Sequence, residues 1–148
     1  MDFRIDVMNP SDALALDRDI RPADAAELAA AGLTAVTALE SANGWAAWDG
    51  DTLLAVFGVQ PMPDAEAVGV PWMLCTNQLR RLSRRHVLLL SQNFVVAAQR
   101  EFRRLQNFVH RHNAQAVGLV RWLGFTVDTE PTGPGGNFYL FHWSESDV

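Results

Sequence analysis

The segment Asn113–Phe125, NAQAVGLVRWLGF, decides how this chain is predicted to fold. Asn113 is a good N-cap, because its side-chain oxygen can accept a hydrogen bond from a backbone N–H of the first helical turn. Gly124 can end a helix in the left-handed conformation without the penalty that a Cβ atom brings. The small side chain of Ala116 permits close packing on a sheet. The segment therefore predicts a helix as far as Leu123, followed by a strand.

The residues before this segment predict a strand and a long helix. Leu105–Val109 is a short apolar run typical of a strand. From Leu79 to about Arg104, apolar side chains recur every three or four residues, which predicts the longest helix of the chain. Four arginines crowd the first turns of that predicted helix: Arg80, Arg81, Arg84 and Arg85.

The first half of the chain predicts a strand, a broken helical region and a hairpin. Phe3–Met8 alternates as a half-buried strand does, and Asn9-Pro10 is expected to start a helix. Two further helices are expected, one from Arg21-Pro22 to Ala31 and one capped by Thr34. The runs Trp45–Trp48 and Thr52–Val59 are joined by Asp49-Gly50, a dipeptide that favours a tight hairpin turn.

A proline-containing stretch separates that hairpin from the next strand. Gln60–Glu66 is predicted to be a loop, and Ala67–Thr76 a strand buried in the sheet. Pro71 lacks the N–H of a ladder bond. It therefore indicates a bulge, or a place where the strand has separated from a neighbour.

The whole order is strand, two or three helices, three strands, long helix, strand, helix and two strands. This order predicts an α/β (α+β) protein with a mixed central sheet of six or seven strands flanked by helices. A chain of 148 residues is expected to form a single domain, residues 1–148.

Charge and cysteine content narrow the function. Residues 1–79 carry three Arg against twelve Asp or Glu, whereas Arg80–Arg121 holds nine Arg and one acid. The second region suits an anion such as a phosphate. The acidic first half makes nucleic acid an unlikely partner. Without an apolar run of membrane-spanning length, a signal peptide or a zinc-spaced Cys/His cluster, we expect a soluble cytoplasmic protein with no metal.

The last helix resembles that of the GNAT superfamily, the acyl-coenzyme-A-dependent N-acyltransferases. Members often have an Asn that opens this helix, an Ala three residues later and a Gly-Phe pair eleven residues after the Asn. Asn113, Ala116 and Gly124-Phe125 match this spacing. The resemblance implies the GNAT-like mixed sheet, with an acyl-CoA such as acetyl-CoA as donor and an amine as acceptor.

A narrower resemblance is to GNAT-like proteins of short-tailed bacteriophages, including a small internal virion protein. It rests on PWMLCTNQLRRLS (71–83), on LQNFV (105–109) and on Asn113–Phe125. It implies a phage or prophage protein, located in the host cytoplasm or in the virion, with phage or host proteins as partners.

The resemblance also implies where an acyl-CoA would bind. GNAT enzymes hold the pyrophosphate at the start of the long helix, on a pattern of Gln or Arg, two residues, Gly, one residue, then Gly or Ala. With Cys75 at the end of the fourth strand, Arg80, Ser83 and Arg85 fill these three places, so both glycines are absent. The implied cofactor-binding residues are Leu74, Cys75, Thr76, Arg80, Ser83, Arg84, Arg85 and Asn113.

The sequence does not identify the general base or the general acid. Many members have a proton-donating Tyr four residues before the Gly-Phe pair, where this chain has Val120. His110, His112 and Glu66 are candidate bases, each with the alternative of a surface residue. Cys75 is expected to be a small buried side chain rather than a nucleophile.

Two functions therefore remain. One is an N-acetyltransferase whose arginines hold the donor's phosphates by charge-assisted contacts despite the missing glycines. The other is a catalytically silent GNAT scaffold that serves as a phage virion or host-interaction protein, with the arginines as a solvated helix face.

Overall fold

The structure is a computed structural model, and it describes residues 1–147. Its strands and helices are β1 (Phe3–Val7), α1 (Asp12–Asp19), α2 (Pro22–Ala30), α3 (Ala35–Leu39), β2 (Trp45–Asp49), β3 (Thr52–Met62), β4 (Ala65–Cys75), α4 (Arg84–Glu101), β5 (Arg104–His110), α5 (Ala114–Trp122), β6 (Thr126–Val127) and β7 (Phe138–Ser144). Short 3-10 turns cover Asn77–Arg81, Pro134–Gly136 and Glu145–Asp147.

The strands form one seven-stranded sheet in the order β1-β2-β3-β4-β5-β7-β6. The pair β4–β5 is parallel, whereas β1–β2, β2–β3, β5–β7 and β6–β7 are antiparallel. The predicted mixed sheet of six or seven strands with flanking helices is confirmed. None of the helices within residues 1–147 combines the length and the hydropathy that a membrane span needs.

The chain divides into two compact units. The first unit comprises Met1–Val59 and Trp72–Ser83, and the second comprises Gln60–Pro71 and the residues from Arg84 onward. The expectation of a single domain over residues 1–148 stays a prediction.

The core of the first unit lies between helices α1 and α3 and the strands β2 and β3. The buried side chains that form it are Ala13, Leu16, Ala35, Leu39, Ala46, Leu53 and Val56. Trp72 of β4 packs on this core with its ring against Gly44 and Gly58, where an added Cβ would lie 2.9 Å from Trp72 Cζ2. Glycine at these two positions therefore allows the indole to lie directly on the backbone.

The start of α3 follows local capping chemistry, and the start of α1 does not follow the expected pattern. Thr34 accepts from the Thr37 N–H and donates its own N–H to the Thr37 hydroxyl, as predicted for a capping residue. The predicted start at Asn9-Pro10 is wrong, because α1 begins at Asp12. The Asp12 carboxylate accepts the Asn9 N–H at 2.8 Å, which holds residues 9–12 in a turn before the helix.

The loop predicted over Gln60–Glu66 is also wrong. Residues 60–62 continue β3, residues 65–66 begin β4, and only residues 63 and 64 form the turn. Pro61 is tolerated because β2 begins at Trp45, opposite Phe57, so no β2 residue needs a ladder bond from position 61.

The second unit contains the segment that decided the predicted fold. Asn113 caps α5 by accepting the Ala116 N–H at 3.3 Å, and Gly124 follows the helix with φ +98°. Phe125 then packs edge-to-face on Phe141 of β7, with ring centroids 5.0 Å apart. The predicted helix, turn and following strand are confirmed.

The predicted long helix begins later than expected. Residues 77–81 form a separate 3-10 turn, Leu82 is extended with ψ 143°, and α4 starts at Arg84. The four arginines therefore do not share one helix start. Arg80 and Arg81 belong to the 3-10 turn, and Arg84 and Arg85 to the first turn of α4.

Candidate functional site

The end of β4 is held by a buried carboxylate from α2. Asp24 is 4% exposed, and its Oδ2 accepts the backbone N–H of Cys75 at 2.7 Å. The Arg21 guanidinium donates to the same carboxylate at 3.2 and 3.3 Å. The Arg21 backbone N–H donates to the Cys75 carbonyl at 2.9 Å. Both backbone groups of Cys75 are therefore already bonded within the first unit.

These bonds lie on the edge of β4 that faces away from β3. The Thr76 N–H donates to Leu54 of β3, and successive residues of a strand direct their backbone groups to opposite sides. The groups of Cys75 consequently point to the other edge, where Ile20 forms a bridge with Thr76. The α1–α2 connection thus acts as a short neighbour for the last residues of β4. Met73, two residues before Cys75, presents its backbone to the same edge.

The side chain of Cys75 is buried. It is 2% exposed, and burial raises the pKa of its thiol to about 12, although the charge of Arg21 opposes this shift. A thiol with that pKa carries almost no thiolate at neutral pH. The expectation that Cys75 is a small buried side chain is confirmed, and its contact with a cofactor stays a prediction.

Thr76 is also buried, and its hydroxyl is hydrogen-bonded within the fold. Its side chain is 1% exposed, and its hydroxyl donates to the Leu53 carbonyl at 2.7 Å. The same oxygen accepts the Gln78 N–H at 3.1 Å, which starts the 3-10 turn. The side chain of Leu74 is half-buried against the core of the first unit. Cofactor contacts by Leu74 and Thr76 stay predictions.

Two carboxylates hold the 3-10 turn. Asp19, at the end of α1, accepts from the amides of Asn77 and Gln78 at 2.9 and 3.1 Å, and these two bonds lower the pKa of its carboxyl. Asp49 accepts from the Asp2 N–H and from Arg81 at 3.1 Å, and both bonds lower its pKa. Arg81 is therefore bound to the β2–β3 turn.

Arg80 and Ser83 are the exposed members of the predicted set in this unit. Arg80 lies close enough to Asp19 to contribute a small Coulombic lowering of the pKa of that carboxyl. Ser83 immediately precedes α4 in the chain, and it makes a contact of its own. Phosphate binding by these two residues stays a prediction.

The first turn of α4 has a different character. Arg84 and Arg85 are exposed, and the turn contains no acidic residue. A helix N-terminus carries a partial positive charge, so each cation there costs about 0.3–1 kcal/mol at an exposed site. The turn combines two positive side chains with the positive end of an eighteen-residue helix. Phosphate binding by Arg84 and Arg85 stays a prediction.

Within the second unit, the ladder between β4 and β5 is short. Its register consists of Val68 opposite Arg104 and Gly69 opposite Leu105. Two residues further on, the Asn107 side-chain amide donates to the Pro71 carbonyl at 2.7 Å. A side chain thus supplies the bond that a backbone ladder would otherwise make. Pro71 stands at a change in pairing, as the sequence predicted.

The two candidate histidines have ring nitrogens that already accept hydrogen bonds. His110 Nδ1 accepts the His112 N–H at 3.2 Å, so a neutral His110 carries its proton on Nε2. His112 Nε2 accepts from Arg111 at 3.3 Å. Catalytic roles for His110 and His112 stay predictions.

Val120, which stands where many family members have a proton-donating Tyr, lies half-buried on α5. The candidate base Glu66 is exposed on β4 rather than in a loop. The side-chain oxygen of Asn113 accepts the Ala116 N–H and so caps α5. Its role toward a cofactor stays a prediction.

Asp24 and Arg21 are the residues that sequence reasoning missed. Their spacing of three at a helix start is visible in the sequence and predicts an ion pair. The third partner, the backbone of Cys75, is 51 residues away from Asp24 along the chain. No local pattern points to that contact.

Among solved structures, several acetyltransferases share the fold over nearly the whole chain. An acetyltransferase from Thermus thermophilus has a TM-score of 0.66 and 16% identity, covering 97% of each chain. A GCN5-related N-acetyltransferase from Kribbella flavida has a TM-score of 0.66 and 22% identity, covering 97% of this chain and 98% of that one. AAC(6')-Ib, solved with ribostamycin and coenzyme A, has a TM-score of 0.70 and 12% identity, covering 99% and 95%.

These similarities show that the chain has the GNAT fold. No family model matches the sequence, and neither does any curated protein.

Proposed function

We propose that the chain is a GNAT-type N-acyltransferase, with an acyl-CoA such as acetyl-CoA as donor and an amine as acceptor. The fold supports this reaction class, since similar structures include proteins solved with coenzyme A. The observation that carries the proposal is the first turn of α4, where Arg84 and Arg85 stand at a helix N-terminus without an acid.

The donor's pyrophosphate fits this turn by charge. In the free protein the two guanidinium groups and the helix dipole repel one another, and a bound dianion converts the repulsion into attraction. Arginine also binds phosphate by paired N–H donors, which compensates for the backbone approach that glycines would allow. Arg84 and Arg85 thus hold the anion by side chains rather than by a glycine loop.

The backbone of Cys75 at the end of β4 is not part of this proposal, because its N–H and C=O are bonded to Asp24 and Arg21. A bound acyl-CoA supplies the acyl group as a reactive thioester.

The acceptor is expected to be cationic before it reacts. Residues 1–79 carry twelve acids against three arginines, which favours the approach of a protonated amine. One similar structure contains ribostamycin, and this chain's own acceptor is proposed only as a primary amine.

Calorimetric titration with acetyl-CoA tests the proposal. We expect saturable binding that weakens by about 10- to 100-fold in Arg84→Glu, because a charge-assisted contact is worth about 1.5–3 kcal/mol. Arg100→Glu is the matched control, since it makes the same charge change in the last turn of the same helix. Equal loss in both variants would indicate a nonspecific charge effect, and absence of binding in the parent protein would refute the proposal.

A second candidate is the catalytically silent scaffold, a phage virion or host-interaction protein. The bonds that occupy Cys75 favour it, as does Val120 where a proton donor is common in the family. It predicts no heat with acetyl-CoA and no release of free thiol when acetyl-CoA is mixed with amines such as spermidine. Release of free thiol in the presence of any amine would refute this scaffold.

A further inference from the structure

Strand β1 ends the sheet with an exposed apolar surface. Within residues 1–147 only β2 pairs with it, and in the first unit Ile5 is 40% and Val7 65% exposed. Trp45, the residue of β2 opposite Val7, is 46% exposed. An outer strand of this kind is a template for pairing with another chain, and proteins usually protect it.

The backbone of β1 has a defined outward side. The Gly50 N–H donates to the Asp2 carbonyl and the Met8 N–H donates to the Gly44 carbonyl, so even-numbered residues direct their backbone toward β2. The N–H and C=O groups of Ile5 and Val7 consequently point outward. They can form ladder bonds with a further strand.

The charges on β1 are complementary to a second copy of β1. The strand reads Phe3-Arg4-Ile5-Asp6-Val7, with Ile5 at its centre. When two copies align antiparallel about Ile5, Arg4 of each lies directly opposite Asp6 of the other. The outward backbone of Ile5 meets that of its own equivalent. One register therefore places opposite charges across from each other and also pairs the outward backbone groups.

Neighbouring registers are disfavoured. Keeping the outward residues opposite one another requires shifts of two residues. A shift in one direction places Arg4 opposite Arg4 of the second copy, and a shift in the other places Asp6 opposite Asp6. Like charges directly opposite are destabilising in a sheet. The charge pattern thus selects the register centred on Ile5.

Arg4 is already oriented for this arrangement. Its Nε donates to Asp6 Oδ2 at 2.8 Å, another of its nitrogens donates to the Gly50 carbonyl, and its guanidinium lies 5.3 Å from the centre of the Trp48 ring. Pairing would place each guanidinium between its own Asp6 and that of the second copy. Four alternating charges then form a closed group on one face of the joined strands.

The apolar residues meet on the opposite face. Phe3, Ile5 and Val7 share that face because they alternate with the charged residues. In the register centred on Ile5, Val7 lies opposite Phe3 of the second copy, beside Trp45. The exposed surface of Ile5, Val7 and Trp45 is thereby removed from water.

From these observations we propose that two copies of this chain associate through β1, antiparallel and centred on Ile5, to join their sheets across a two-fold axis. The occupant is a second copy rather than another protein, because β1 itself supplies the matching sequence of charges. Such a contact is isologous and closes at two subunits.

A charge exchange measured by sedimentation equilibrium tests the proposal. The parent protein is expected to be dimeric at micromolar concentrations. Either Arg4→Asp or Asp6→Arg alone should weaken the dimer at least about tenfold, because like charges then face each other. An equimolar mixture of the two variants should form a heterodimer, since every opposed pair is again of opposite sign.

A monomeric parent, an unweakened single variant or a mixture that stays monomeric would each overturn the proposal. Circular dichroism of each variant checks that it is folded. Ile5→Pro provides a second variant, because it removes an outward N–H that β2 does not use. It should abolish the dimer while leaving the monomer folded, and a dimer that survives it would also overturn the proposal.

Cysteine cross-linking tests the register itself. Ile5→Cys should form an intermolecular disulfide on mild oxidation, since residues in a hydrogen-bonded antiparallel pair have Cα atoms about 5.5 Å apart. Val7→Cys is the matched control, because position 7 faces position 3 and not its own equivalent. The native Cys75 is buried and does not compete. Equal cross-linking at positions 5 and 7 would contradict the register.

Discussion

The end of β4 and the first turn of α4 are separated by only a few residues of chain, yet they differ in whether acidic residues accompany their donor groups. Between Cys75 and Arg81, carboxylates accept hydrogen bonds from four residues. Asp24 accepts from the Cys75 N–H, and Asp19 accepts from the side chains of Asn77 and Gln78. Asp49 accepts from the Arg81 guanidinium. In the first turn of α4, two exposed arginines share the turn with no acidic residue.

On the proposed function, this difference separates charges that stabilise the fold from charges that bind the donor. Charges that are paired within the fold contribute stability, and their removal should be detected in unfolding experiments. Charges that repel one another in the free protein contribute none, and their removal should be detected in ligand binding. The following predictions test this division, in order of expected size.

The largest expected effect follows from Asp24→Ala. It leaves the Arg21 guanidinium and the Cys75 N–H without their shared acceptor, which should lower the free energy of unfolding by about 3 kcal/mol. Urea denaturation measures this loss. Asp17→Ala, at an exposed acid of α1, is the control and should change stability by less than about 0.5 kcal/mol. Similar small effects of both substitutions would show that the buried pair does not hold the end of β4.

The next effect is a loss of stability at alkaline pH. The pKa of the Cys75 thiol is about 12 in the folded protein against 9.0 ordinarily, so the folded state favours the neutral thiol. This contribution is complete below about pH 9 and is lost as pH rises toward about 12, by about 1.4 kcal/mol per pH unit. Denaturant unfolding between about pH 9 and about pH 11 measures it. Cys75→Ala should remove this slope, and an unchanged slope would assign it to another group.

A smaller loss is expected from Thr76→Val. The substitution keeps the branched shape and removes the hydroxyl that donates to Leu53 and accepts from Gln78. Unfolding should become easier by about 1–2 kcal/mol. Thr76→Ser retains the hydroxyl and should lose less. If Val and Ser have equal effects, packing of the methyl group matters and the hydrogen bonds do not.

The smallest effect has the opposite sign. Arg84→Glu places an acid at the start of α4, so it should raise the stability of the ligand-free protein by about 0.5 kcal/mol. Thermal unfolding without acetyl-CoA measures this gain. The same variant is expected to bind acetyl-CoA more weakly. A variant that is both less stable and weaker in binding would show that Arg84 has a structural role.

Features that depend on hydrogen bonds between residues close in the chain were predicted correctly, and features that depend on distant residues were not. Asn113 and Thr34 were identified as caps because each bonds within three residues of itself. The Asp49-Gly50 turn was equally local, with Gly50 at φ +56°. The extension of β3 through Pro61 was not predicted, because it depends on where β2 begins.

The candidate site was predicted only in part. The positions of Arg80, Ser83, Arg84 and Arg85 came from a resemblance in spacing. Spacing cannot show that Arg80 lies in a separate 3-10 turn while Arg84 and Arg85 begin α4. The bonding of Cys75 to Asp24 and Arg21 could not be predicted, because Asp24 is 51 residues earlier in the chain and Arg21 lies before it.

The sequence by itself determined the element order and the caps, since periodicity and capping act over one or two turns of chain. Its resemblance to a known family implied the GNAT-like architecture. Only the tertiary structure decided which polar groups are already bonded. Whether the edge of β4 at Cys75 is open, and whether an arginine is paired, depends on side chains that folding brings together from distant segments.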